Sequence, residues 1–141
     1  MSVGSSGAGD ANSNGQRARQ AAARQGRQDI SANIRQLDKC SWEISCQPGQ
    51  ALVLTYEVYA NDPSVRTASL NSTRGFFNST SLCLRAEGQE QQAHGLELVA
   101  GKASADWSVA TGLTPQQTDS SGFGHYLAAN YDELVDCPVE M

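Results

Sequence analysis

The sequence predicts an all-β domain, an antiparallel β-sandwich behind a disordered amino-terminal leader. Three observations lead there. Short segments alternate apolar and polar residues with a period of two. Gly, Pro and Asn punctuate these segments at spacings of roughly 10–15 residues, the rhythm of short strands joined by turns. No segment carries an apolar stripe of three helical turns.

The leader is set at residues 1–33 and the β-sandwich domain at 34–141. Residues 1–15 are mostly Gly, Ser, Ala and Asn, a composition that cannot repay ordering entropy by burial. Residues 16–28 are Gln, Arg and Ala with Gly26. They are good helix formers without an apolar face, so a transient helix is the most they predict.

From residue 40 the period changes. Cys40, Trp42, Ile44 and Cys46 alternate with Ser41, Glu43 and Ser45, the pattern of a half-buried strand. Gln47-Pro48-Gly49-Gln50 reads as a turn. Residues 51–60 form a second strand, with Leu52, Leu54, Tyr56, Val58 and Ala60 on one face. Two strands across a short turn predict a hairpin. Asn61-Asp62-Pro63-Ser64 ends the second strand, because Pro removes a ladder donor and Asn and Asp favour turns.

Further along, residues 65–70 predict a short extended piece and 71–75 a loop. Leu82 and Leu84 alternate with Ser81, Cys83 and Arg85, which predicts a strand over 80–87. More strands are expected at 95–100, 107–111 and 123–128, with a loop over 112–122. Residues 131–136 predict one helical turn capped by Asn130 and stopped by Pro138. The expected core is Trp42, Leu52, Leu54, Tyr56, Val58, one of Phe76 and Phe77, Leu82, Leu84, Leu96, Leu98, Trp107 and Val109.

Charge narrows the function classes. Residues 1–50 carry six basic and four acidic side chains; residues 51–141 carry four and eleven. An acidic domain repels phosphate backbones, so no nucleic-acid partner is expected. No apolar run approaches the roughly 20 residues that span a bilayer, and none resembles a secretion signal, so no membrane partner is expected. Cys40, Cys46, Cys83 and Cys137 lack metal-ligand spacing. They read as reduced thiols of a cytoplasmic chain, with a Cys40–Cys46 bridge open if the two face each other. Asn71-Ser72-Thr73 and Asn78-Ser79-Thr80 match the glycosylation pattern but read as turn residues.

The chemistry expected of this chain is not hydrolytic. His94 and His125 stand 31 positions apart, and no H-E-x-x-H or G-x-S-x-G is present. The candidate site residues are Tyr59, Asn61, Asp62, Arg66, Arg74, Phe76, Phe77 and Asn78. A strand that ends in polar residues, with Arg66 four positions after Asp62, holds a bend by side-chain hydrogen bonds, or lines the rim facing another domain. Adjacent Phe76 and Phe77 point to opposite faces of a strand. One fills the core, and the other needs cover, unless a bulge buries both.

These residues also carry a resemblance. Tyr56-Glu57-Val58-Tyr59-Ala60-Asn61-Asp62-Pro63-Ser64-Val65-Arg66 and Arg74-Gly75-Phe76-Phe77-Asn78 resemble the amino-terminal β-domain of the glycyl aminopeptidase family. Leu37-Asp38-Lys39-Cys40-Ser41-Trp42, Trp107-Ser108-Val109-Ala110-Thr111-Gly112-Leu113, Tyr131-Asp132-Glu133-Leu134-Val135-Asp136 and Pro138-Val139-Glu140-Met141 extend it over residues 37–141. Members are zinc metallopeptidases with a thermolysin-like catalytic domain and often a PDZ domain. The resemblance implies a non-catalytic domain that scaffolds the peptidase domain of the same polypeptide and shapes its substrate cleft. It implies zinc for the full-length enzyme, none for this chain, and a chain that stops about where the peptidase domain begins. The family's early strands are not recognised before Leu37, so the sandwich is expected to be incomplete and its exposed strand edges to invite self-association. The alternatives are a stand-alone β-sandwich module that binds protein or carbohydrate, and a small cysteine enzyme pairing Cys83 or Cys137 with His94 or His125.

Overall fold

The structure is a computed structural model that describes residues 2–4 and 19–141. In chain order its strands are β1 (Ser2–Gly4), β2 (Arg19–Gln25), β3 (Gln28–Asp29), β4 (Ile34–Gln36), β5 (Ser41–Ile44), β6 (Leu52–Glu57) and β7 (Ala68–Leu70). There follow β8 (Gly75–Phe77), β9 (Arg85–Ala86), β10 (His94–Leu98), β11 (Ala110–Thr111), β12 (Thr114–Thr118), β13 (Gly124–Ala128) and β14 (Val139–Glu140). Two short helices, α1 (Ser79–Leu82) and α2 (Tyr131–Asp136), interrupt them. Every strand pairing is antiparallel, and the fold is an antiparallel β-sandwich type. The chain forms two compact units, Met1–Tyr59 with Leu84–Glu87, and Ala60–Cys83 with Gly88–Met141.

The first unit pairs a sheet of order β4-β5-β1-β9 with one of order β3-β2-β6. Ala23, Ile30 and Ile44 are its buried centre, and Ile34, Trp42, Cys46, Leu52, Leu54 and Ala86 pack on them. The predicted faces of β5 and β6 hold, because Trp42, Ile44, Leu52 and Leu54 all reach this core. The predicted hairpin between them does not form. Both edges of β5 are taken by β4 and β1, and β6 pairs with β2. The turn at 48–50, with Gly49 at φ +75°, carries the chain from one sheet to the other. On the outer face Arg35 lies opposite Glu43 and meets its Oε2 at 2.7 Å.

The leader needs correction. Residue 1 and residues 5–18 lie outside the described residues, but Arg19–Gln25 is a strand, not a transient helix. Ala23 is fully buried, Gln25 is buried and Arg24 between them is exposed. Small inward side chains and a ladder with β6 outweigh the intrinsic helical preference. Gln25 donates from Nε2 to the Gln47 carbonyl at 2.7 Å and accepts from the Gln47 amide at 2.7 Å, so its buried amide anchors the start of the next turn. β2, β3 and β4 all precede Leu37 and supply early strands that the sequence does not advertise.

The second unit pairs β11-β14-β8-β7 with β10-β13-β12. Its core is Ala68, Phe77, Leu98, Leu113, Phe123, Tyr126, Ala128, Tyr131, Leu134 and Val139. Of the expected core, Phe77 and Leu98 are buried here, and Leu82, Leu96, Trp107 and Val109 pack half-buried against them. The Tyr126 hydroxyl donates to the Gly122 carbonyl, giving a buried phenol its partner.

Helix α2 forms as expected. Asn130 Oδ1 accepts from the Glu133 amide at 2.9 Å, and Glu133 Oε2 accepts from the Ala129 amide at 2.6 Å. Asp132 and Glu133 lie in its first turn, where carboxylates suit the helix dipole. Two expectations fail. The strand expected over 80–87 is instead the α1 turn followed by two residues of β9, because Asn78 caps a helix there. The loop expected over 112–122 contains β12, whose five residues are all exposed and so show no alternation.

Candidate functional site

Seven of the eight candidate residues lie in the second unit, on a bend followed by the β7–β8 hairpin. Tyr59 lies in the first unit and is 61% exposed. The bend is over-determined by short-range hydrogen bonds. Asp62 Oδ1 accepts from the Ser64 amide at 2.9 Å, the self-capping turn that Asp favours. Thr67 Oγ1 donates to the Asp62 carbonyl at 3.0 Å, and the Thr67 amide donates to the Ser64 carbonyl at 3.3 Å. The Asp62 amide donates to Ala68 at 3.1 Å, and Leu70 donates to Ala60 at 3.0 Å. Asn61 bridges Ser69 on the edge of β7.

Asp62 and Arg66 do not form the expected ion pair. Asp62 is committed to its own turn, and Arg66 makes no ion pair among the described residues. Arg74 does find a carboxylate. Its Nε lies 2.8 Å from Glu140 Oε1, and its guanidinium lies 5.6 Å from the centre of the Phe76 ring.

Strand register arranges the rest. Val139 faces Phe77 and Phe77 faces Ala68, all three buried. One residue out of phase, Ala110, Glu140, Phe76, Ser69 and Asn61 line up across β11, β14, β8, β7 and the bend. Phe77 therefore fills the core and Phe76 lies half-buried on the outer row. The alternation expected of adjacent Phe residues is borne out, and no bulge buries both.

Asn78 is a helix cap. Its Oδ1 accepts from the Thr80 amide at 3.0 Å and the Thr80 hydroxyl at 2.7 Å. Its own amide donates to Thr67 at 2.9 Å, which ties α1 to the bend. Asn71 does the same work in the β7–β8 turn, accepting from the Thr73 and Arg74 amides. Sequence reasoning missed Thr67 and Glu140. The Ser64-x-x-Thr67 spacing is a signal for the first; nothing local signals the second.

The remaining polar groups do not assemble a reacting centre. His94 Nδ1 lies 2.7 Å from the Gln92 carbonyl, and His125 Nε2 lies 3.6 Å from Glu97 Oε1. No hydrogen bond joins a thiol to either ring among the described residues, which removes the basis of the cysteine-enzyme alternative. All four cysteines are free thiols, and Cys40 is exposed. Burial pushes the Cys83 thiol above its ordinary range. No three His, Cys, Asp or Glu side chains among the described residues stand together as a metal site. The zinc that the resemblance implies has no ligand set in them. No helix of the described residues is long and apolar enough to cross a membrane.

The fold and this surface define an antiparallel β-domain whose distinctive residues build a rigid bend and an outer sheet row. Residues 15–141 match the model of the Peptidase M61 N-terminal domain, and the chain belongs to that family, the amino-terminal domain of glycyl-aminopeptidase-like peptidases. The match begins 22 residues before Leu37, where the sequence resemblance begins, and so takes in β2, β3 and β4. Among solved structures, the crystal structure of an aminopeptidase N family protein from Idiomarina loihiensis is similar. It aligns with a TM-score of 0.80 at 35% identity, over 86% of this chain and 20% of that one. The chain thus spans about one fifth of that relative's length. A search of curated proteins finds no significant match.

Proposed function

We propose that this domain scaffolds a peptidase domain of the same polypeptide and shapes the approach to its substrate cleft. The whole protein is a zinc aminopeptidase that removes amino-terminal residues from peptides. The observation that carries the reading is the outer row on the sheet of the second unit. Phe76 is half-buried with a guanidinium beside it, and small side chains, Ala110 and Ser69, flank the row. Aromatic and Arg side chains on a flat, rigid sheet are the composition of an interface centre rather than of an ordinary solvated face. Family membership supports it, as does a relative titled an aminopeptidase whose chain extends far beyond the matched region.

The test is steady-state kinetics on the full-length enzyme carrying Phe76→Ala or Ser69→Arg. A lost interface anchor costs about 1–2 kcal/mol. The expected result is a rise in KM of roughly tenfold for peptide substrates, with kcat changed much less. Unchanged KM and unchanged thermal unfolding in both variants would sink the reading. So would peptide turnover by the 141-residue chain alone.

A further inference from the structure

We propose that Arg66, with Val65 beside it, is a docking knuckle that takes a carboxylate on the peptidase domain. The inference rests on the reading above for the identity of the partner. Its physical basis lies within the second unit.

That unit is rich in acid. Across 60–83 and 88–141 it carries three Lys or Arg side chains against nine Asp or Glu. In such surroundings a guanidinium ordinarily finds a carboxylate, as Arg74 does with Glu140. Arg66 does not, even with Asp62 four residues away, because the Asp62 carboxylate is held by the Ser64 amide.

The backbone that presents Arg66 is fixed on both sides. The Arg66 amide donates to Ser64 Oγ at 3.4 Å. Thr67 is tied to Asp62 and Ser64, and Asn78 donates to Thr67 from the far side of the hairpin. A side chain on a preset backbone loses little further freedom on docking. Next to it Val65 is 75% exposed, an apolar tip at the crest of the same bend. Together they present a forked donor and an apolar contact.

The acidity of the unit selects the partner's chemistry. A polyanion would be repelled by the surrounding carboxylates. A single carboxylate on a protein surface, beside an apolar dimple for Val65, matches the guanidinium in a bidentate pair.

The experiment compares Arg66→Glu and Arg66→Lys in the full-length enzyme and in the 141-residue chain, by calorimetric unfolding. The expected result is one cooperative transition for the wild-type enzyme and two separate transitions for Arg66→Glu. Arg66→Lys should fall between them, and the 141-residue chain should melt at the same temperature with Arg or Glu at position 66. If the wild-type enzyme is cooperative and Arg66→Glu leaves it so, the docking role is wrong while the scaffolding reading stands. If Arg66→Glu lowers the melting temperature of the 141-residue chain as much as that of the enzyme, Arg66 acts within its own domain and the proposal fails. If the wild-type enzyme already unfolds in two independent steps, the scaffolding reading fails and this one with it.

Discussion

Gly124 opens β13 directly against Gln117 of β12, with φ at +137°. A Cβ on Gly124 would overlap the Gln117 carbonyl oxygen and come within 2.8 Å of Thr118 Cα. The pairing register of β12 and β13 slips between Pro115 and Gln117, so a bulge on one strand meets a glycine on the other. Both obstructing groups are backbone, which cannot rotate away. Gly124→Ala is expected to destabilise the chain by at least about 2 kcal/mol, from backbone strain and overpacking together. Urea unfolding measures it, and a loss below half that value would contradict the packing described.

Asn78 joins two pieces of the candidate site. Replacing it by Ala removes the α1 cap but keeps the backbone bond to Thr67. The expected cost is about 1 kcal/mol, and Asn78→Asp should recover most of it, because aspartate caps as well as asparagine. Thermal unfolding of the three proteins decides it. Equal losses for Ala and Asp would mean that the side-chain amide nitrogen, not the capping oxygen, matters.

The thiols differ in access and in acidity. Cys40 is exposed, whereas Cys83 packs against the second core and burial raises its pKa. Thiolate is the reactive form. Alkylation at neutral pH, followed by peptide mass mapping, should therefore modify Cys40 first and Cys83 last. Early modification of Cys83 would require that the second unit opens readily.

Asp29 accepts from the Ser31 hydroxyl at 2.6 Å and the Ser31 amide at 2.8 Å. These bonds, the hydroxyl first, hold its carboxyl below the usual range. A carboxyl whose folded pKa is depressed stabilises the fold above its unfolded pKa of about 4, and that contribution is lost as the pH falls through the folded value. Wild type should therefore lose more stability than Asp29→Asn as the pH drops below about 4. Parallel acid profiles for the two proteins would show that the carboxylate contributes nothing there.

Features set by near neighbours were legible in the sequence. Asn130 announces α2 because a cap, its acids and the following Pro138 act within a few residues. The inward faces of β5 and β6 could be read because a strand alternates strictly. The resemblance in residues 56–78 led to the right family. The partners of these strands could not be read. A turn after β5 looks the same whether the chain returns beside it or crosses to another sheet. β2 reads as a helix until β6 supplies its ladder, and β12 shows no alternation because neither of its faces is covered. In the candidate site, the order of Phe76 and Phe77 was open until the register with Val139 and Ala68 decided it. The Asp62–Arg66 pair was reasonable by spacing, yet the Ser64 amide takes Asp62 first.

The sequence alone determined an antiparallel β fold, its caps and turns, and an acidic surface, because all of these follow from side chains acting on their own neighbourhood. Tertiary structure decided which strands share a sheet, that there are two cores, and that Arg74 meets Glu140, 66 positions away, while Arg66 meets no carboxylate. Strand hydrogen bonds and ion pairs are made with whatever the fold brings alongside, and sequence spacing carries no record of that.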